Sequence, residues 1–188
     1  MQAAKKIVVI GGSAGSLPVI ISLMKSLPVS FAFPIIIVLH RQRNVKSEMK
    51  QLLVDIAHKK IIEPDDKEPV LNGFIYLAPQ NYHLLVEEDF TFSLDYSEAI
   101  KFSRPSIDAT FESAARVYGA GAIAMLLSGA NTDGCAGVAA ILNQQGVALV
   151  QDPATCEYPT MPSACLQANP DSIMLAPLAM ALYLQNIV

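Results

Sequence analysis

The chain has 188 residues, enough for one domain with a substantial buried core. Hydrophobic residues make up 52% and charged residues 16%, a composition that suits a sheet covered on both faces and excludes an intrinsically disordered chain. The net charge of −4 argues against nucleic acid as a general partner, and no apolar run is long enough to cross a bilayer. We therefore expect a cytoplasmic protein without membrane insertion.

Strand-like and helix-like segments alternate along the chain, the pattern of βα units that build a parallel sheet. Two apolar stretches around an acidic turn at 83–96 predict an antiparallel hairpin. The predicted fold is therefore α/β, a predominantly parallel, Rossmann-like sheet with helices on both faces plus a small antiparallel hairpin. Strands are predicted at 6–10, 35–39, near 61, 74–77, 122–127, 147–150 and 172–175, and helices after a cap at Ser16, at 47–57, 106–117 and 133–144, and from about 177.

The first strand runs into a glycine-rich turn at 11–15 that contains Ser13. The glycines permit a sharp turn, and the helix that follows directs its free N–H groups at whatever occupies it. Phosphate or dinucleotide binding is one interpretation, although the GxGxxG spacing is not met and no Lys-Ser/Thr pair follows. A nucleophilic Ser13 is the other, and this loop alone does not decide between them.

Two further strands end near residues that complete an acyl-transfer set: His40 closes an aliphatic strand, and Asp133 lies in a strand-to-helix turn. The carboxyl ends of parallel strands form one edge of a sheet, so both can meet Ser13 there. His40 would act as a base and Asp133 would orient it. The alternatives are a loop histidine and a helix N-cap. The order Ser, His, Asp differs from that of α/β-hydrolases, chymotrypsin and subtilisin.

Backbone N–H groups at Ala14 and in the turn before Asp133 are placed to stabilise an oxyanion. The other two histidines, His58 and His83, are interpreted as surface residues. The three cysteines lack any spacing typical of zinc and are interpreted as reduced. We therefore predict no metal site.

These segments together resemble the catalytic domain of the chemotaxis methylesterase (CheB) family, which demethylates bacterial chemoreceptors. Residues 10–16 are similar to the family pattern IGxSxGG, and residues 128–134 to TGMGxDG. His40 closes its apolar strand as the family histidine does. Further similarity lies at 77–79, at 104–108 and at Met161-Pro162 before the late helix.

The resemblance implies a protein-glutamate methylesterase that hydrolyses γ-glutamyl methyl esters of methyl-accepting chemotaxis receptors, often with deamidation of receptor glutamines. Ser13 would be the nucleophile, His40 the base and then the acid, and Asp133 the group that orients His40. The oxyanion or substrate-binding positions would be Ala14, Ala130 and Met161. No metal or organic cofactor is implied. A receiver or methyltransferase domain of the same pathway is a further expected partner.

The chain also departs from the family pattern. Ala130 stands at a usual methionine and Asn131 at a usual glycine, and Asn is among the residues best able to adopt positive φ. The family's common form begins with a receiver domain. We interpret residues 1–188 as a single methylesterase catalytic domain with no receiver domain, so that activity would be constitutive or controlled by a partner.

Two other functions stay open. A receptor-binding adaptor of the same fold would lack an oxyanion hole because of the altered turn at 130–131. A nucleotide-binding regulator would need a cofactor with a 2′-phosphate, since residues 41–43 contain arginines where an acidic ribose ligand belongs. Four basic residues either form a rim for an acidic receptor helix or are solvated surface charges: Arg41, Arg43, Lys46 and Arg104.

Overall fold

The computed structural model describes residues 6–41, 48–57 and 59–187. The strands alternate with helices in chain order, as the sequence predicts, except between residues 60 and 95, where four strands follow one another. The strands are β1 (Ile7–Gly12), β2 (Ile35–Leu39), β3 (Lys60–Ile62), β4 (Phe74–Leu77), β5 (His83–Val86), β6 (Phe92–Asp95), β7 (Ala122–Leu126), β8 (Val147–Gln151) and β9 (Ile173–Leu175). The α-helices are α1 (Leu17–Ser26), α2 (Met49–Ile56), α3 (Ile107–Tyr118), α4 (Cys135–Asn143), α5 (Thr160–Ala168) and α6 (Pro177–Asn186).

Seven strands form a parallel sheet in the order β3-β4-β2-β1-β7-β8-β9. β1 is central, with β2 on one side and β7 on the other. The predicted fold class is confirmed, including the antiparallel pair β5-β6. No helix in the described ranges is long and apolar enough to span a bilayer.

The two faces of the sheet carry separate apolar cores because side chains alternate along each strand. Val8 and Ile10 of β1 belong to the core that also contains Leu23 of α1 and Leu184 of α6. Val9 belongs to the opposite core, together with residues of α3, α4, α5 and the hairpin. Each fully buried aliphatic side chain contributes about 1.5–3 kcal/mol to folding. A sheet covered on both faces explains the high apolar content.

The β5-β6 hairpin is attached to α3 by hydrogen bonds as well as by apolar packing. Thr110 Oγ1 donates to the Leu84 carbonyl oxygen at 2.8 Å. Ser113 Oγ accepts from the Val86 amide at 3.0 Å. These bonds fix the hairpin beside α3, and the chain that leaves it runs toward the carboxyl edge of the sheet.

Several local predictions are wrong. Ser16 occupies the N-cap position of α1, but its backbone is helical and its hydroxyl donates to the Ser13 carbonyl oxygen at 2.7 Å. The helix predicted from residue 133 begins at Cys135, after Gly134 with φ of 94°. Met161 and Pro162 lie inside the first turn of α5, a helix that was not expected from the sequence. The region 42–47 and His58 lie outside the described residues.

Candidate active site

Ser13 and His40 follow directly on two paired strands at the carboxyl edge of the sheet. Gly12 of β1 is in register with Leu39 of β2, so the next residues along are Ser13 and His40. The His40 amide donates to the Gly12 carbonyl oxygen at 3.3 Å, which continues the pairing. Neighbouring strands are about 4.8 Å apart. Ser13 and His40 are therefore neighbours at the edge where ligands bind in this class of sheet.

The serine loop is held on its other side by Ser128, which follows β7. The Ser13 amide donates to the Ser128 carbonyl oxygen at 2.9 Å, and Ser128 Oγ donates to the Ala14 carbonyl oxygen at 2.8 Å. Gly15 has φ of 75°, and a Cβ there would lie 2.7 Å from Glu157 Cβ and 2.8 Å from Ser128 Oγ. The loop thus needs glycine at position 15 to keep Ser13 in place.

His40 makes one hydrogen bond from each ring nitrogen. Nε2 lies 2.8 Å from Asp133 Oδ2, and Nδ1 lies 3.2 Å from Ser103 Oγ. Since the Asp133 carboxylate can only accept, Nε2 carries the proton and Nδ1 accepts from the Ser103 hydroxyl. The basic lone pair of His40 is therefore on Nδ1. The His40 side chain is 11% exposed.

The Asp133 carboxylate is fully buried and is surrounded by hydrogen-bond donors. It does not cap α4, whose N-cap is Gly134; most of its bonds come from the first residues of α3, where the helix dipole also favours a negative charge. Apart from His40, the donors are Ser106 Oγ at 3.0 Å, the Ile107 amide at 2.7 Å, the Asp108 amide at 3.1 Å and the Gly134 amide at 3.0 Å.

These bonds keep Asp133 ionised. Burial alone would raise the pKa of Asp133, but the hydrogen bond from His40 and those from the Ile107 and Asp108 amides outweigh it and lower the pKa to about 2. A carboxylate of this kind holds the His40 ring in one tautomer and stabilises the imidazolium form.

Asp108 of α3 is a second buried carboxylate, and it links this helix to α4 and to Lys101. It accepts from the Gly137 amide of α4 at 2.8 Å and from Lys101 Nζ at 2.7 Å. Lys101 Nζ also donates to the Thr132 carbonyl oxygen at 2.9 Å. Burial alone would lower the pKa of Lys101, but the hydrogen bond to Asp108 and the charges of Asp108 and Asp133 raise it. Lys101 therefore stays charged beside the two carboxylates.

His83 is buried, with 1% exposure, so its interpretation as a surface residue is wrong. Its Nδ1 accepts from the Ser106 amide at 3.1 Å, and its Nε2 donates to the Glu98 carbonyl oxygen at 3.0 Å. Both ring nitrogens of His83 are therefore hydrogen-bonded to main-chain groups, as buried polar atoms usually are. His83 supports Ser106, which in turn contacts Asp133.

The turn after β7 is packed from beneath by Met161. The Met161 amide donates to the Gly129 carbonyl oxygen at 2.9 Å, and the Gly129 amide donates to the Tyr158 carbonyl oxygen at 3.0 Å. Met161 is fully buried, and its Cε lies 2.5 Å from where a Cβ on Gly129 would be. The structure thus places the Met161 side chain under the turn and away from solvent.

Ala14 lies in the turn after β1, and Ala130 lies in the turn after β7, both at the carboxyl edge of the sheet. Within the described ranges, neither backbone N–H donates a hydrogen bond. Asn131 is not among the described residues with positive φ; its Oδ1 accepts from the Asp133 amide at 3.0 Å. Asn131 therefore stabilises the turn through its side chain, as asparagine commonly does.

Arg41 does not belong to a basic rim. Its side chain is 6% exposed and forms an ion pair with Glu63 at 3.0 Å, while its other nitrogen donates to the Ala78 carbonyl oxygen at 2.5 Å. Arg104 lies over the ring of Tyr96 at 4.1 Å. Arg43 and Lys46 lie outside the described residues. The residues that are described thus give no support to a basic docking rim.

Ser103 and Lys101 were not among the residues expected at the site from the sequence. Ser103 directly precedes the segment 104–108 that resembles the family, which is the only linear signal that marks it. No group of three or more histidine, cysteine or acidic residues in the described part of the chain could hold a metal ion.

A serine, a histidine and an aspartate at the carboxyl ends of adjacent parallel strands are typical of an α/β serine hydrolase. Comparison with known proteins narrows this class. The model of the CheB methylesterase family matches residues 8–184, and the chain belongs to this family.

The similar proteins cover most of the chain. A Leptospira interrogans protein named putative protein-glutamate methylesterase/protein-glutamine glutaminase is 42% identical over 162 residues, which are 86% of this chain and 84% of the relative. A Thermotoga maritima protein with the same name, without "putative", is 32% identical over 165 residues, 86% of this chain but 48% of its own length. The crystal structure of the Thermotoga maritima CheB methylesterase catalytic domain superposes with a TM-score of 0.92 at 29% identity, covering 99% of this chain and 100% of that one.

Proposed function

We propose that this chain acts as one catalytic domain that hydrolyses methyl esters of glutamate side chains in chemoreceptors, and that it deamidates receptor glutamines at the same site. The observation that carries the proposal is the 2.8 Å bond between His40 Nε2 and Asp133 Oδ2, with Ser13 next to His40 in strand register. The names of the relatives support the substrate class.

The reaction follows from these positions. Ser13 Oγ attacks the ester carbonyl carbon, and its proton moves to His40 Nδ1. The tetrahedral intermediate then expels the methoxy group, which takes that proton and leaves as methanol. Water attacks the resulting acyl-enzyme, gives its proton to His40 and releases the glutamate carboxylate. Ser13 regains its proton. For a glutamine the leaving group is ammonia.

Two backbone amides are proposed to stabilise the oxyanion. Ala14 and Ala130 both follow the ends of central strands, and their N–H groups donate to no described residue. Since the contact is a main-chain one, the missing methionine at position 130 does not remove it. We propose that Met161 contributes by supporting this turn from beneath, with no direct contact to substrate.

The decisive experiment compares Ser13→Ala with Ser103→Ala, because Ser103 is the hydroxyl that hydrogen-bonds to His40 Nδ1. We expect Ser13→Ala to lower methanol release from methylated receptor fragments by about 1,000-fold or more. Ser103→Ala removes only one neutral hydrogen bond and should cost less than about tenfold. Labelling by a fluorophosphonate should disappear in Ser13→Ala alone.

The reverse ranking would assign the nucleophile to Ser103. No release from the folded wild-type protein, with receptor binding retained, would favour the adaptor and direct attention to the exposed Ala130 turn. Binding of 2′-phosphorylated nucleotides in a dye-displacement titration would instead favour the regulator.

A further inference from the structure

A tight turn beside the active site holds a phenylalanine entirely in solvent. Residues Ile100 and Ser103 exchange two backbone hydrogen bonds, of 3.1 and 2.8 Å. The two residues between them, Lys101 and Phe102, both have positive φ, at 46° and 66°. Phe102 is 100% exposed. A two-residue hairpin turn with positive φ at both positions is usually Asn-Gly, because a large side chain is unfavourable in this conformation.

The neighbours of Phe102 are both hydrogen-bonded at the site, Ser103 to His40 and Lys101 to two residues beside Asp133. Lys101 Nζ donates to the Thr132 carbonyl oxygen at 2.9 Å, next to Asp133, and to Asp108 at 2.7 Å. Ser103 Oγ donates to His40 Nδ1 at 3.2 Å. The turn therefore stands at the rim of the site and is held there on both sides, so Phe102 projects from a fixed place.

The Phe102 side chain itself adds no packing that would offset the unfavourable backbone conformation, since its ring is wholly exposed. Unfavourable backbone conformations tend to persist where they serve function. Tyr96 and Ile100, which precede the turn, are also exposed. This segment therefore presents three exposed large aromatic or aliphatic side chains among polar ones.

We propose that Phe102 is a specificity-determining residue that binds an apolar side chain of the receptor helix carrying the reacting glutamate ester. The inference rests on the proposed function. Because Ser103, the residue after Phe102, is hydrogen-bonded to His40, a receptor helix bound at His40 has Phe102 close at hand. On an α-helix, residues three or four positions apart lie on the same face. The preferred substrate is therefore a helix with an apolar residue three or four positions from the ester.

The test compares the ratio of kcat/KM on a methylated receptor fragment to kcat/KM on p-nitrophenyl acetate, which is too small to reach the turn. We expect this ratio to fall about five- to tenfold in Phe102→Ala, the effect of truncating one aromatic anchor. Phe102→Leu keeps an apolar side chain and should retain most of the ratio. Leu178→Ala is the matched control, since Leu178 of α6 is 75% exposed.

A second arm changes the substrate. Replacing the apolar residue three or four positions from the ester by serine should lower the ratio for the wild-type protein and have little further effect on Phe102→Ala. An unchanged ratio in Phe102→Ala, or an equal fall in Leu178→Ala, would overturn the proposal while leaving the esterase intact. No methanol release from the wild-type protein would overturn both.

Discussion

Asp133 combines two tasks in one carboxylate. It accepts a hydrogen bond from His40 Nε2, and it accepts hydrogen bonds from the first two amides of α3. The proposed orientation of His40 and the anchoring of α3 therefore depend on the same two oxygen atoms. The consequence is that a change at Asp133 cannot affect the reaction without affecting the fold.

We expect Asp133→Asn to lower kcat by about 1,000- to 10,000-fold, because the amide no longer fixes the His40 tautomer. The variant should also lose roughly 1–3 kcal/mol of unfolding free energy, since an amide nitrogen would face main-chain donors. Steady-state methanol release and urea unfolding measure the two effects.

Asp108→Asn is the control for this prediction. Asp108 is the other buried carboxylate of the cluster, but it bonds to Lys101 and Gly137 and not to His40. Asp108→Asn should lower the unfolding free energy, but it should lower kcat by less than about tenfold. Equal losses of kcat in the two variants would argue against a specific role for Asp133.

At the scale of elements, α3 supports the site through its N-terminus and the hairpin through its middle. Ser106 is the N-cap; its hydroxyl accepts from the Ala109 amide and donates to Asp133 Oδ1. Ser113, two turns further on, accepts from the Val86 amide of β5. Ser106 thus bonds α3 to Asp133, whereas Ser113 bonds the same helix to the hairpin.

Ser106→Ala and Ser113→Ala should therefore each cost about 1 kcal/mol of unfolding free energy, one through a lost cap and the other through a lost buried hydrogen bond. Only Ser106→Ala should also lower kcat, by several-fold, because it loosens Asp133. Chemical denaturation and methanol release on the same preparations separate the effects. A similar fall of kcat in Ser113→Ala would contradict a local role for Ser106.

The elements were largely predictable because their apolar periodicity is strong: β1, β2, β7 and α3 lie within two residues of the expected bounds. The short helix α5 was not, since Pro162 lies in its first turn and its sequence has no amphipathic pattern. His83 was misjudged because a polar residue at the start of a hairpin reads as exposed. Its burial depends on Ser106 and Glu98, which only the tertiary structure brings to it.

At the scale of the whole molecule, the acid stability of the protein should depend on Asp133. The folded pKa of about 2 lies below the usual 3.8, so the ionised group stabilises the fold above about pH 4, and this contribution is lost as the pH falls toward 2. The difference is worth about 2 kcal/mol. The ionisation of Asp108 has the opposite effect on the unfolding free energy, because burial raises the pKa of Asp108.

The measurement is the unfolding free energy of the wild-type protein and of Asp133→Asn, determined by urea at intervals between pH 5 and pH 2. The wild-type advantage should shrink across this range and be smallest at its lower end. A difference between the two proteins that stays constant with pH would contradict the low pKa of Asp133.

The bond between His40 and Asp133, and the position of Ser13 on the strand next to that of His40, were predictable in outline, because the carboxyl ends of parallel strands share an edge. The positions of Lys101 and Ser103 were not. Both lie in the connection between the hairpin and α3, whose path depends on how the hairpin packs on that helix. Periodicity along the chain carries no information about this packing.

The central position of β1 also has a consequence for how activity is acquired. His40 and Asp133 are 93 residues apart, and Ser128 and Ala14 are 114 apart. Pairings between such distant segments form late, because the loops they close must first lose their conformational freedom. During refolding, methanol release should therefore return no earlier than the last cooperative folding step. A chain released early from synthesis would be inert, whatever local structure it had formed.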